Sequence, residues 1–296
     1  MTLPQQLPSL DHYNPFVERD PRAFGYQPLR ESLARLSRSA RQLGGQLIEI
    51  PRPGLERHID YSLYNAGEMA ELHEAGVWMA WFRISMGIAG VDQEGLDQAL
   101  AFTEAGGLAL TYHLFLDYDG VAQADHYLDV AEPLLVEMDG KGAVALDQET
   151  LFANNNLRRP RSEAFCNRIR TQTLLKTALY TNNNYANAWG LKGTWIKPAF
   201  DLTWQAQWSS GEPTQLDGWY VYADPEQKKR CVRQSGIYNN YWWEDPVPGI
   251  TSDIDIDWYY GTREDMKNLL GLDASLTLEE RVTVLEEEAR AHGWNV

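Results

Sequence analysis

Residues 77–115 read VWMAWFRISMGIAGVDQEGLDQALAFTEAGGLALTYHLF, and their rhythm decides the fold. VWMAWFRIS (77–85) is a nearly unbroken run of β-prone, mostly apolar residues, the mark of a strand covered on both faces. Asp92 opens DQEGLDQALAFTEAG, an amphipathic stretch that stops at Gly106, with a helix-capping acid at one end and a helix-ending glycine at the other. GLALTYHLF (107–115) is a second buried strand. A strand, a helix and a strand in immediate succession predict parallel pairing through a right-handed crossover.

The alternation continues in both directions. Upstream, RHIDYS (57–62) reads as a short strand and AGEMAELHEAG (66–76) as an amphipathic helix. Downstream come a long helix over 120–138, the strand GAVALDQE (142–149), a helix over 159–175 and the strand KTALYTN (176–182). After that the helices shrink. DLTWQAQWS (201–209), KKRCVRQS (228–235) and SDIDIDWYY (252–260) read as strands, with Gly, Pro and Asn crowded between them. About eight strands, with helices mainly in the first five units, predict an α/β barrel whose last third has lost its helices. In such a barrel the chemistry sits at the C-terminal ends of the strands.

The barrel is expected over 57–265, between an extension at 1–56 and a C-terminal helical segment at 266–296. Residues 29–43 are basic and helix-like, with Leu29, Leu33, Leu36 and Leu43 near one face. At 275–296, Leu278, Val282, Leu285 and Ala289 form an apolar helical stripe. Either segment is suited to packing on the barrel or to pairing with a protein partner or a second copy.

The formal net charge of −16 argues against nucleic acid and anionic membranes, which need clustered Lys and Arg. A neutral, sugar-like substrate fits that balance. Two cysteines, Cys166 and Cys231, rule out a disulfide framework and leave only a single bridge open. The six His show no metal-binding pattern, so neither metal nor cofactor is expected. MTLPQQLPSLDHYNPFVERD (1–20) has no secretory character, and no apolar run is long enough to span a bilayer. A chain made in the cytoplasm and carried to its target by release or by an assembly is the expectation.

The strand at 142–149 ends on two acids, Asp147 and Glu149, one position apart. Alternation along a strand would turn both to the same side. Two close carboxylates repel when both ionise, so one holds its proton to higher pH. A protonated acid beside an ionised one is the equipment for cleaving a glycosidic bond. Solvated turn acids are the plain alternative, but the pair has company. Asp60 ends the first strand, and Asp253, Asp255 and Asp257 line one face of the last. First and last strands adjoin in a closed barrel, which would gather these acids at one mouth. A calcium loop is a poor reading of this triplet, because Trp258 stands where the loop needs Gly. Tyr61, Tyr64, Tyr112, Phe115, Tyr180, Trp204 and Trp208 fall at the same strand ends, where flat rings suit the apolar faces of sugars.

Seven segments in order resemble glycoside hydrolase family 25, the Chalaropsis-type lysozymes: IDYSLYNAG, FRISMGIAGVDQ, LTYHLF with AQADHYL, VALDQET, ALYTN, LTWQAQWS and PGITSDIDIDWYYGT. The resemblance implies a TIM-like (β/α)5(β)3 barrel and hydrolysis of the β-1,4 bond between N-acetylmuramic acid and N-acetylglucosamine in peptidoglycan. It implies Glu149 as general acid, Asp147 as its orienting or stabilising partner, and Asp60 and Asp255 as further acids at the mouth. It also implies the substrate's own 2-acetamido group as nucleophile, and it adds Arg83, Gln207 and Asp257 to the substrate-binding set. Asp257 stands where the family commonly has Asn, and Arg233 where a Trp often precedes the Gln. A phage-type or assembly-mounted muramidase is the expectation. A barrel kept for gripping glycan or for building a larger particle is the alternative.

Overall fold

The computed structural model describes residues 56–61, 73, 77–207, 213–238 and 254–272, all within a unit spanning Pro51–Val296; the side chains of 56–61, 235–238 and 254–256 lie outside that description. Among these residues nine strands make one mixed sheet. They are β1 (Glu56–Tyr61), β2 (Met79–Met86), β3 (Gly90–Val91), β4 (Leu108–Leu114), β5 (Ala143–Asp147), β6 (Lys176–Asn182), β7 (Leu202–Ala206), β8 (Cys231–Tyr238) and β9 (Ile254–Tyr259). The order is β1-β9-β8-β7-β6-β5-β4-β2-β3, and β1 also pairs with β2, so the sheet curls back on itself.

The parallel expectation holds from β1 through β8, leaving aside β3, and fails at β9, which runs antiparallel to both β8 and β1. Parallel neighbours need a long crossover, whereas antiparallel neighbours need none. Among the described residues between β7 and β8 the helical element is a 3-10 turn at Gln227–Arg230, in place of the long helices of the earlier crossovers. The extra strand β3 is a two-residue hairpin partner of β2, turned through Gly87 at φ 55°.

Helices α1 (Gln93–Glu104), α2 (Gly120–Glu137) and α3 (Arg158–Gln172) follow β3, β4 and β5. Asp92 and Asp119 cap the first two, each accepting a backbone N–H from the first turn. The later helices are short: α4 (Asn183–Ala188), α5 (Ile196–Ala199) and α6 (Arg263–Leu269). The helix expected at 66–76 lies outside the described residues except for His73, which is helical. Asp253, the extension up to residue 55 and the tail at 275–296 also lie outside them.

Strand alternation separates two cores. Phe82, Ile84, Val144, Leu146 and Leu179 face the helices together with Leu96, Phe102, Tyr127 and Phe165. Met79, Trp81, Leu110, Tyr112, Ala143, Ala145, Ala178, Tyr180 and Trp204 occupy the concave face. Alanines on β5 and β6 leave room there for the indoles of Trp81 and Trp204, which stack with centroids 4.8 Å apart. Such buried rings carry a large share of a core's stabilisation. Both cysteines are buried and free.

Candidate active site

Asp147 is the last residue of β5 and shares the concave face with Ala143 and Ala145. The regular strand stops there, so Glu149 lies just beyond it rather than within it. One more ladder bond follows, from the Gln148 N–H to the Tyr180 carbonyl at 2.9 Å. That bond continues the pleat. The Gln148 side chain turns toward the helices, where its Nε2 donates to Ser162 Oγ on α3 at 2.7 Å.

The two carboxyls sit in different surroundings. Asp147 is buried, and its Oδ1 has no hydrogen-bond partner among the described residues. Burial, and after it the charge of Glu149, raises its pKa well above the usual 3.8, while the Arg83 guanidinium pulls the other way. Glu149 is half-buried, and burial lifts its carboxyl above the usual 4.5 against a hydrogen bond from Asn182. Asn182 Nδ2 donates to Glu149 Oε1 at 3.4 Å. Its orientation is fixed from behind, because its Oδ1 caps α4 by accepting the Tyr185 N–H at 2.9 Å. Because the charge of Glu149 acts on Asp147, the proton affinities of the two carboxyls are linked.

The register brings the other expected acids close in backbone terms. Asp60 and Asp255 are directly opposed on β1 and β9, and their side chains lie outside the described atoms. The reversed direction of β9 produces this, since it sets the start of β9 beside the end of β1. Asp257 pairs with His58, two residues deeper along β1. It is fully buried, with Oδ1 accepting from Trp204 Nε1 at 2.6 Å.

The aromatic set divides. Tyr112 and Tyr180 flank Trp204 on the concave face, with centroids 6.0 Å and 4.5 Å from its ring. Tyr180 donates its hydroxyl to Gln234 Oε1 at 2.9 Å. Trp204 is only 1% exposed, so it lies beneath the concave surface rather than on a wall that a ligand could touch. Phe115 is a correction. It is wholly buried among Phe152, Phe165 and His113 in the helix-side core, because it has the opposite strand parity to Tyr112. Tyr61 is placed by its backbone alone, and Tyr64 and Trp208 lie outside the described residues.

Arg83 is buried too. Its Nε donates to Asp92 Oδ2 at 2.9 Å, so it acts on the site through its charge on Asp147. Gln207 is held by the Asn183 amide at 3.0 Å and the Thr214 N–H at 2.7 Å. Among the described residues no group of three or more His, Cys, Asp or Glu is placed to hold a metal ion, and no helix is long and apolar enough to cross a membrane.

Phe115→Leu separates packing from binding. The folded protein should lose about 1–3 kcal/mol of stability from the cavity. Its KM for glycan should stay unchanged. Calorimetry and steady-state kinetics on one preparation check both, and a raised KM would return Phe115 to the binding surface.

Asn182, Gln148 and Gln234 were not expected as site residues. Asn182 had one legible signal, an Asn where the strand ALYTN gives way to further polar residues, the usual place for a helix cap.

The described geometry has relatives. The family Glycosyl hydrolases family 25 matches residues 59–229. The bacterial lysozyme of Streptomyces coelicolor superposes with a TM-score of 0.58 at 17% identity, covering 74% of this chain and 98% of that one. The muramidase of Trichobolus zukalii gives 0.55 at 19% identity, covering 72% and 98%. The catalytic domain of an endolysin from a bacteriophage of Listeria monocytogenes gives 0.54 at 17%, covering 74% and 99%. At these identities the likeness establishes a common fold. No match was found among curated proteins.

Proposed function

The chain belongs to the glycosyl hydrolases of family 25 and is a glycoside hydrolase, and from that premise we propose that it is a muramidase. It hydrolyses peptidoglycan at the β-1,4 bond between N-acetylmuramic acid and N-acetylglucosamine. The observation that carries this reading is the carboxyl pair. At the C-terminal end of a central strand, burial raises the proton affinity of both Asp147 and Glu149, and the charge of Glu149 raises that of Asp147 further. We read the curled sheet as the (β/α)5(β)3 barrel, with this end as its mouth.

Of the pair, Glu149 is the more exposed and the one a sugar can reach. It passes its proton to the bridging oxygen as the bond from that oxygen to the anomeric carbon breaks. Positive charge then develops on the sugar, and the anion left on the pair, deepest at Asp147, stabilises it in a site from which water is largely excluded. The substrate's 2-acetamido oxygen takes up the anomeric carbon. Water then attacks that carbon as its bond to the acetamido oxygen breaks, which restores the acetamido group, and the proton that water loses returns to Glu149. The backbone register sets Asp60 level with Asp255 on adjoining strands, and they are the further acids of this reading. Tyr112, Tyr180 and Gln207 line the glycan's path over a floor of Trp204 and Asp257.

Lysozyme and endolysin folds among the relatives support a wall-directed enzyme. Delivery by a phage particle or an injection assembly, with 1–56 and 275–296 as docking segments, extends the same proposal. Purified peptidoglycan should yield new reducing ends without new free amines. Borohydride reduction followed by mass spectrometry should then find muramitol at the cut ends. New amines without reducing ends, or glucosaminitol at the cut ends, would overturn the assigned bond.

A further inference from the structure

The loop carrying Glu149 is tied down on both flanks by one buried cation. Arg158, the first residue of α3, is fully buried. Its guanidinium lies 3.8 Å from the ring centroid of Phe152 and 4.2 Å from that of Trp189. From this slot Nη1 donates to Gln148 Oε1 at 2.8 Å and Nη2 donates to the Thr150 carbonyl at 2.7 Å. One planar fork therefore holds the residue before Glu149 and the residue after it. Burial lowers the guanidinium pKa to about 10, so it stays charged at neutral pH.

Two further hydrogen bonds hold the loop. Thr181 Oγ1 donates to the Gln148 carbonyl at 2.9 Å, and Thr150 Oγ1 donates to the Phe115 carbonyl at 2.6 Å. Those two bonds come from neighbouring strand ends and could form in any loop that passes there. The Arg158 fork differs, because it reaches Gln148 and Thr150 at once from a slot beside two rings. Burying a charge is costly, and a buried arginine is retained only where its hydrogen bonds and ring contacts offset that cost. What this arrangement achieves is a fixed backbone on each side of one carboxyl.

We infer that Arg158, acting through Gln148 and Thr150, is the positioning residue for Glu149. The inference rests on the reading of Glu149 as proton donor. A proton donor displaced by about 1 Å loses on the order of 10²-fold in rate. Among the described residues the charged groups that bear on the pair are the two carboxyls themselves and Arg83 on β2, which acts on Asp147; Asn182 on β6 is the neutral neighbour of Glu149.

Arg158→Met is the test, read by kcat, KM and a carbon-13 NMR titration of the Glu149 carboxyl. Positioning predicts a kcat lower by about 10–10²-fold, a KM within about threefold, and a Glu149 midpoint that falls toward 4.5 as the freed loop hydrates. Loss of a nearby cation alone would push that midpoint upward, so the direction of the shift separates the two causes. Arg158→Lys keeps the charge without the fork and should behave like Arg158→Met. Should Arg158→Met fail to fold, Arg158→Met with Gln148→Leu removes both partners of the bond and leaves no Gln148 side chain unpaired. A folded variant with wild-type kcat and an unmoved Glu149 midpoint would overturn the inference. If wild type itself leaves peptidoglycan intact, the muramidase reading falls, and the titration still decides whether Arg158 sets the surroundings of Glu149.

Discussion

Replacing Glu149 by glutamine should lower kcat on peptidoglycan by about 10²–10⁴-fold and leave the fold and KM nearly unchanged. Glutamine has the same shape and still accepts the Asn182 amide hydrogen bond seen at 3.4 Å. What it lacks is a transferable proton. The change therefore acts on the transition state, where the bridging oxygen must be protonated as it leaves. Binding, which depends on the rest of the groove, is little affected. Melting temperature should hold or rise slightly, because a carboxyl that burial already disfavours as an anion is replaced by a neutral amide. Steady-state kinetics and thermal unfolding of the purified variant check both halves. A variant with wild-type kcat would remove Glu149 from the chemistry.

Asp147→Asn should trade activity for stability. The activity should drop by about 10²–10³-fold, the range for loss of one preorganised electrostatic partner. The stability effect follows from linkage. Asp147 binds its proton more tightly in the fold than in the unfolded chain, where its usual value is 3.8. The stabilisation from that proton is complete below the unfolded value and is lost as pH rises through the higher folded value. Raising the pH to neutral therefore costs the wild-type fold stability that the asparagine variant, with no group to titrate there, keeps. The variant should melt at least about 2 °C higher at pH 7, the equivalent of about 1 kcal/mol in a chain of this size. The gap should close as pH falls toward 3.8. Melting curves across that range check the sign, and a variant less stable at pH 7 than at pH 4, relative to wild type, would contradict it.

Much of this fold was legible because the central strands are short, mostly apolar runs and the first two helices are marked at their starts. Asp92 and Asp119 cap α1 and α2 where the pattern changes from strand to helix. The direction of β9 was not legible. IDIDWY carries the same alternation in either direction, and only the neighbours it finds decide between them. That reversal brings Asp255 level with Asp60, a result the sequence reading reached while assuming parallel strands.

At the site, Asp147 and Glu149 stood out because two acids at the end of an apolar strand are costly without a purpose. Phe115 was misassigned although its parity differs from that of Tyr112, so simple counting along β4 would have sent it to the helix side. Trp204 has the right parity, but depth below the mouth is set by packing against Trp81 and Tyr180, and no local pattern encodes it. Gln148 and Arg158 were invisible for a related reason. A glutamine between two acids and an arginine opening a helix both read as solvated surface, and only the tertiary fold buries one against the other.

The measurement that reaches the central claim most directly is the titration of the Asp147 and Glu149 carboxyls in the folded wild-type enzyme, followed by carbon-13 NMR. A shared proton predicts two linked steps, the upper one well above the usual 3.8 and 4.5 of free aspartate and glutamate side chains. Two independent steps at those usual values would mean that the pair holds no proton for a leaving sugar, and would contradict the account.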